Sequence, residues 1–188
     1  NMKESNVVVP GIIAKHSKYQ EVACDHWLKF RDAFEYANTH LIGKVVGISN
    51  LDIFLDSTGS NWENLGTFLP ENNVVLCLSR QEFDGVSKAS RDPNLQAYAY
   101  ANCQDAWFFK SPIFVSLEKC DFEIGRPGCD NAIAHRIKSS GYIPWNPSNE
   151  YKIFHYDICR GKTGANYLQK TYEEESRKNK NVFPEEDG

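Results

Sequence analysis

Apolar residues along this chain come in one helical stripe and several short runs. Between positions 19 and 41, Trp27, Phe30, Phe34 and Ala37 recur at helical intervals. That spacing lines one face of a 3.6-residue period and predicts a helix, with Gly43 as its terminator. Val45, Val46 and Ile48 follow, apolar on both faces, as in a strand of a sheet covered on both sides. "VVLCLSR" at 74–80 predicts a second buried strand, and "DAWFFKSPI" at 105–113 a third with Pro112 at its edge. "YKIFHY" at 151–156 predicts another strand, and "NVVVPGIIAK" at 6–15 an extended segment broken by Pro10-Gly11. A second helix is expected over 130–141, capped by Asp130 or Asn131 and ended by Gly141. A helical turn is expected near Trp62 and Leu65, a long loop over 81–103, and a solvated helix over 167–178.

Strands alternating with helices and long loops predict an α/β domain over 1–165, with a charged tail over 166–188. The sheet is expected to be mixed and mostly parallel, flanked by helices. The loops between strands exceed the usual ~4–6 residues, and long loops in compact domains tend to carry function.

Composition narrows the function classes. The 188 residues suit one domain, and 41% apolar with 13% aromatic content can fill a sizeable core. A net charge of −4 and a pI near 5.8 argue against a nucleic-acid partner. No run approaches the ~18 apolar residues of a membrane span, and no leader pattern is visible at the amino end. The start of the chain is that expected of a fragment, which leaves a secretory-pathway location open. None of the six cysteines forms a C-x-x-C pair, and there is no usable N-x-S/T sequon. Both points lean toward a reducing, cytoplasmic compartment, with one disulfide among Cys103, Cys120 and Cys129 left open. Cys77, inside "VVLCL", reads as a small buried hydrophobe.

Candidate chemistry gathers at predicted strand ends. Asn50, Asp52 and Asp56 follow the Val45–Ile48 run, where open α/β sheets bind ligands. Asn50 and Asp52 are two apart and suit Mg²⁺ or Mn²⁺ bridging to a diphosphate; an Asx turn with surface charge is the plainer alternative. Gln104 and Asp105 enter the "AWFF" strand, where Asp105 can orient a substrate hydroxyl and Trp107 can supply an apolar wall. Asp130 and Asn131 follow the tight "GRPG" loop at a helix start, where a carboxylate serves either as cap or as positioned base. Arg80 leaves a buried strand and can clamp a phosphate or form a surface ion pair. His155 lies in a strand with Asp157 two residues on. Cys24/His26 and Lys88/Arg91 read as bland. No G-x-S-x-G, Walker, G-x-G-x-x-G, H-E-x-x-H or cysteine-protease signature is present.

In order along 34–157, "ISNLDIFLD", "LSR", "CQDAWFFKSPI", "IGRPGCDN" and "GYIPWNPSNEYKIFHYD" resemble a group of glycosyltransferase-like proteins. Five motifs in order are more specific than any one alone. The resemblance implies a GT-A-like, nucleotide-diphospho-sugar transferase fold with a nucleotide-sugar donor and a glycan or protein acceptor. It implies Mn²⁺ or Mg²⁺ at Asp52 and His155, with Asn50 in the first position of the family's Asp-x-Asp. It sets Asp130 toward the acceptor, and Gln104 and Asp105 along the sugar pocket. Such a metal acts as a Lewis acid on the leaving diphosphate, while a carboxylate takes the acceptor proton. The sequence departs from the pattern at Asn50, at His155-Tyr156-Asp157 in place of H-x-H, and in a short amino-terminal portion. A GT-A-like fold here is trimmed at its amino end or continued outside this chain. A non-catalytic glycan- or partner-binding module is the alternative.

Overall fold

The computed structural model describes residues 2–4, 15, 17–50, 53–56, 62–83 and 103–156. Strand β1 (Met2–Glu4) pairs in parallel with β2 (Val22–Cys24). Helix α1 (Phe30–His40) leads into β3 (Val45–Ser49) and β4 (Ile53–Leu55). A 3-10 turn at Trp62–Asn64 runs into α2 (Leu65–Glu71), followed by β5 (Val74–Leu78) and β6 (Arg80–Phe83). Then come β7 (Ala106–Lys110), α3 (Cys129–Ser139), β8 (Ile143–Trp145) and β9 (Ile153–Tyr156).

The main sheet has the order β3-β7-β5-β8, and a smaller sheet the order β4-β9-β6. Every residue of β5 is buried, and its side chains alternate between two cores. Val75 and Cys77 face one side, with Phe30, Phe34 and Ala37 of α1, Trp107 and Phe109 of β7, and Ile133 and Ile137 of α3. Val74, Leu76 and Leu78 face the other, with Leu65 and Leu69 of α2, Phe108, Tyr151 and Ile153. Helices α1 and α3 therefore cover one face, and α2 with the small sheet covers the other. Each large apolar side chain buried in this way contributes roughly 1.5–3 kcal/mol. Gly47 of β3 lies opposite Phe108, whose ring would stand only 2.6 Å from a Cβ at that position.

The protein is mixed α/β, with three α-helices among the described residues. The sheets are not mostly parallel as the sequence suggests. β7 lies between β3 and β5 and runs antiparallel to both, while β5–β8 and β6–β9 are parallel and β4–β9 is antiparallel. An apolar run marks a buried strand but does not carry its direction, so this order is invisible to hydropathy.

The first helix begins at Phe30, not near Tyr19. Val22–Cys24 is a strand, and Trp27, 48% exposed, lies before the helix. Phe30, Phe34 and Ala37 are buried as expected. The entry point is set by Asp32, whose Oδ2 accepts the Lys29 amide at 2.9 Å. The second helix is capped by Gly128, at φ 84°, rather than by Asp130 or Asn131, which lie inside its first turn. The extended segment at 6–14, most of the 81–103 loop and the tail beyond 156 lie outside the described residues. Cys24, Cys77, Cys103, Cys120 and Cys129 are free thiols.

Candidate functional site

The ladder register brings four strand ends to one edge of the main sheet. Ser49 and Leu78 both pair with Ala106, and Leu76 pairs with Trp145. Residues just after β3, β5 and β8, and just before β7, consequently emerge together. These are Asn50, Ser79 with Arg80, Asn146, and Gln104 with Asp105. Helix α3 starts against the same edge, because the Gln104 amide donates to Asp130 Oδ2 at 3.3 Å.

The loop at 125–128 makes that approach possible. Gly125 and Gly128 have φ of 81° and 84°, a region that glycine enters without steric cost. Between them the chain reverses and sets Asp130 in the first turn of α3. Asn50 faces this loop, with its Oδ1 3.8 Å from where a Cβ on Gly125 would stand. Segment 27–30 braces the loop from outside. The Trp27 indole donates to the Ile124 carbonyl at 3.1 Å, the Ile124 amide donates to the Leu28 carbonyl at 2.9 Å, and the backbones of Lys29 and Glu123 form an isolated antiparallel β-bridge. The Arg126 guanidinium lies over the Trp27 ring at 4.6 Å.

Asp105 is 7% exposed and is held on two sides. Its amide donates to the Leu78 carbonyl at 2.9 Å, and its Oδ1 accepts from Arg80 Nη1 at 2.6 Å. A carboxylate this deep needs such a partner, since an uncompensated buried charge is costly. Asp130 differs. Burial holds its carboxyl above the usual carboxylate range, and the Asp105 charge adds to that; the amides of Asn131 and Gln104 pull the other way. The Cys103 thiol is likewise pushed up, by burial first and then by Asp130 and Asp105.

The other expected site residues are placed as follows. Asn131 is exposed, and its amide donates to Asp130 Oδ1 at 2.9 Å. Trp107 is 1% exposed and packs edge-on against Phe30 at 4.8 Å between centroids, so its ring belongs to the α1/α3 core rather than to an open wall. The alternation of β7 explains this, as 107 and 109 share the face covered by α1. Asp56 is buried, with its amide on the Lys152 carbonyl. His155 is 2% exposed in the middle strand of the small sheet, opposite Ile53 and Glu82. The ladder puts Ile53 and His155 on the same face of the small sheet. Asp52 and Asp157 lie outside the described residues.

Two groups escaped the sequence. Ser79 Oγ donates to the Cys103 carbonyl at 2.5 Å and accepts from Asn146 Nδ2 at 2.8 Å; Ser148 Oγ donates to Asn146 Oδ1. This network locks β8, β5 and the entry to β7 together, and its only signal was the "NPS" motif. The second is a Cys24, Asp25 and His26 cluster at the end of β2, whose donor atoms all lie within 4.8 Å of one another. It was hidden because the region reads as helix.

Compared with family models, curated proteins and solved structures, the chain matches none. The site therefore stands on its own geometry. It offers a paired carboxylate, a carboxyl with raised proton affinity and an asparagine, all at the sheet edge where ligands dock in α/β folds.

Proposed function

We propose that this edge is the catalytic site of a glycosyltransferase that moves a sugar from a nucleotide-diphosphate donor to a hydroxyl acceptor. The observation that carries the proposal is Asp130. A carboxyl whose proton affinity is raised, fixed by two backbone amides beside the Arg80–Asp105 pair, suits a general base better than an ordinary surface aspartate does. The ordered motif resemblance supports the same class.

Asp130 accepts the acceptor hydroxyl's proton as the sugar transfers. Asp105, neutralised by Arg80, orients a sugar hydroxyl, and Asn50 and Gln104 line the donor side. A histidine nitrogen with a carboxylate oxygen is a donor set that Mn²⁺ accepts. On the motif resemblance, Asp52 and His155 would hold the ion. Bound there, Mn²⁺ or Mg²⁺ would supply charge neutralisation for the departing diphosphate.

Calorimetry with UDP- and GDP-sugars, with and without Mn²⁺, tests the proposal; Mn²⁺-dependent donor binding is expected, and none with any donor would sink it. A non-catalytic glycan-binding module is favoured by one observation. Asn50, where the family pattern has an acid, turns its amide oxygen toward Gly125. Glycan binding without donor binding would select that module.

A further inference from the structure

We propose that Cys24, His26 and Asp32 form a second metal site, for a borderline divalent ion of the Zn²⁺ type, that fastens β2 to the start of α1. Two donors of different kinds converge on one imidazole nitrogen. Cys24 Sγ is 3.6 Å from His26 Nε2, and Asp32 Oδ2 is 2.9 Å from the same atom. The other ring nitrogen, Nδ1, is held by Asp25 Oδ1 at 2.8 Å. Metal-ligating histidines are oriented by this kind of carboxylate contact on the far nitrogen. Bond lengths of ~2.3 Å to sulfur and ~2.05 Å to nitrogen at a tetrahedral angle give an S···N separation of about 3.6 Å. The observed sulfur–nitrogen distance already matches it. Two ligands at ~2.05 Å stand about 3.3 Å apart, so Asp32 has to retreat from His26 by a few tenths of an ångström and also swing toward Cys24, since the set whose donor atoms lie within 4.8 Å of one another is Cys24, Asp25 and His26.

A histidine clamped between two aspartates is a sufficient ion pair by itself, and it has no use for a thiol. What distinguishes this cluster is that the Cys24 sulfur, 6% exposed at the end of a strand, is turned to the same nitrogen as Asp32. Thiolate, imidazole and carboxylate together are a zinc donor set. Ala23, Glu35, Tyr36 and His40 continue from the cluster along a groove of about 580 Å³, which leaves room for water as a fourth ligand. The ion would brace the chain just before Trp27 and Lys29, the residues that hold the 121–126 loop.

The test is titration of the full chain with Co²⁺ under reducing conditions, followed by Zn²⁺ competition. One equivalent of Co²⁺ is expected to give a thiolate-to-cobalt charge-transfer band that Zn²⁺ abolishes. Cys24→Ser removes the band, and Asp25→Asn weakens Zn²⁺ affinity about tenfold or more. Asp52→Asn keeps the band, which separates this site from any ion bound with a nucleotide sugar. No charge-transfer band at saturating Co²⁺, or a band that survives in Cys24→Ser, overturns the proposal.

Discussion

Two groups of charged side chains in this protein use carboxylates in opposite ways. At the sheet edge, Asp105 and Arg80 meet with 10% and 30% of their side chains exposed. At the β2–α1 turn, His26 sits between Asp25 and Asp32 with its own side chain 49% exposed and that of Asp25 98% exposed. The first pair cannot be exchanged for water without loss, because Asp105 lies too deep for water to replace its cation. In the second, solvent and salt compete with the Asp25 contact above all, while Asp32 is 18% exposed. Buried charges are held by architecture and suit chemistry, whereas exposed ones suit reversible binding.

The largest expected effect is on activity, at the half-buried Asp130 beside that pair. Asp130→Asn should lower sugar transfer by about 10²–10⁴-fold while donor binding by calorimetry stays unchanged. A variant with full activity would remove the base from the mechanism. Next, Arg80→Ala leaves Asp105 buried without its cation and should cost about 3 kcal/mol in urea unfolding at neutral pH. A cost as small as that of an exposed pair would break the comparison.

A third, smaller effect has the opposite sign. Asp130 has a raised proton affinity in the folded state, so its contribution is full below the unfolded value near ~3.9 and is lost as pH rises through the folded one. Asp130→Asn lacks this loss. Its melting temperature should overtake that of the wild type as pH climbs from acid toward neutrality, so the variant would be the more stable and the less active protein. The smallest effect belongs to His26. Hydrogen bonds to Asp25 and then Asp32 raise its proton affinity, so its stabilisation is full below ~6.5 and fades as pH rises through the folded value. NMR titration of the metal-free protein should place the His26 midpoint above ~6.5, and added salt should bring it back toward that value. A midpoint at or below it would show that the clamp does not form.

The sequence singled out Arg80, Gln104, Asp105 and Asp130, which the strands bring together, but not the strand order that does so. Arg80, Gln104 and Asp105 stood where a hydrophobic run met polar residues, and Asp130 where a tight glycine loop met a helix start; in a layered sheet such positions converge. Trp107 was misplaced because an aromatic next to an acid resembles a pocket wall; only the strand register shows its ring turned to α1. The start of α1 was misplaced because Trp27 falls three residues before Phe30 and imitates the helical period. That error concealed Cys24 and His26, which look unremarkable on a helix and become neighbours only when the chain turns between strand and helix. Strand direction was beyond reach because β7 draws its partners from positions ~30 and ~60 residues away, and local hydropathy carries nothing about them.

The position of β7 also fixes when the site can exist. β3 and β5 share no ladder with each other, and both pair with β7. During synthesis they emerge first and must wait, with open edges, until residue 110 has been made. Contacts between such distant positions form slowly, since loop closure precedes any gain from pairing. Arg80 meets Asp105, and Gln104 meets Asp130, only once β7 has entered. The Arg80–Asp105 pair thus forms with the entry of β7, after which α3 and β8 still have to add, and a chain that stalls before it leaves the apolar strand β5 unpaired.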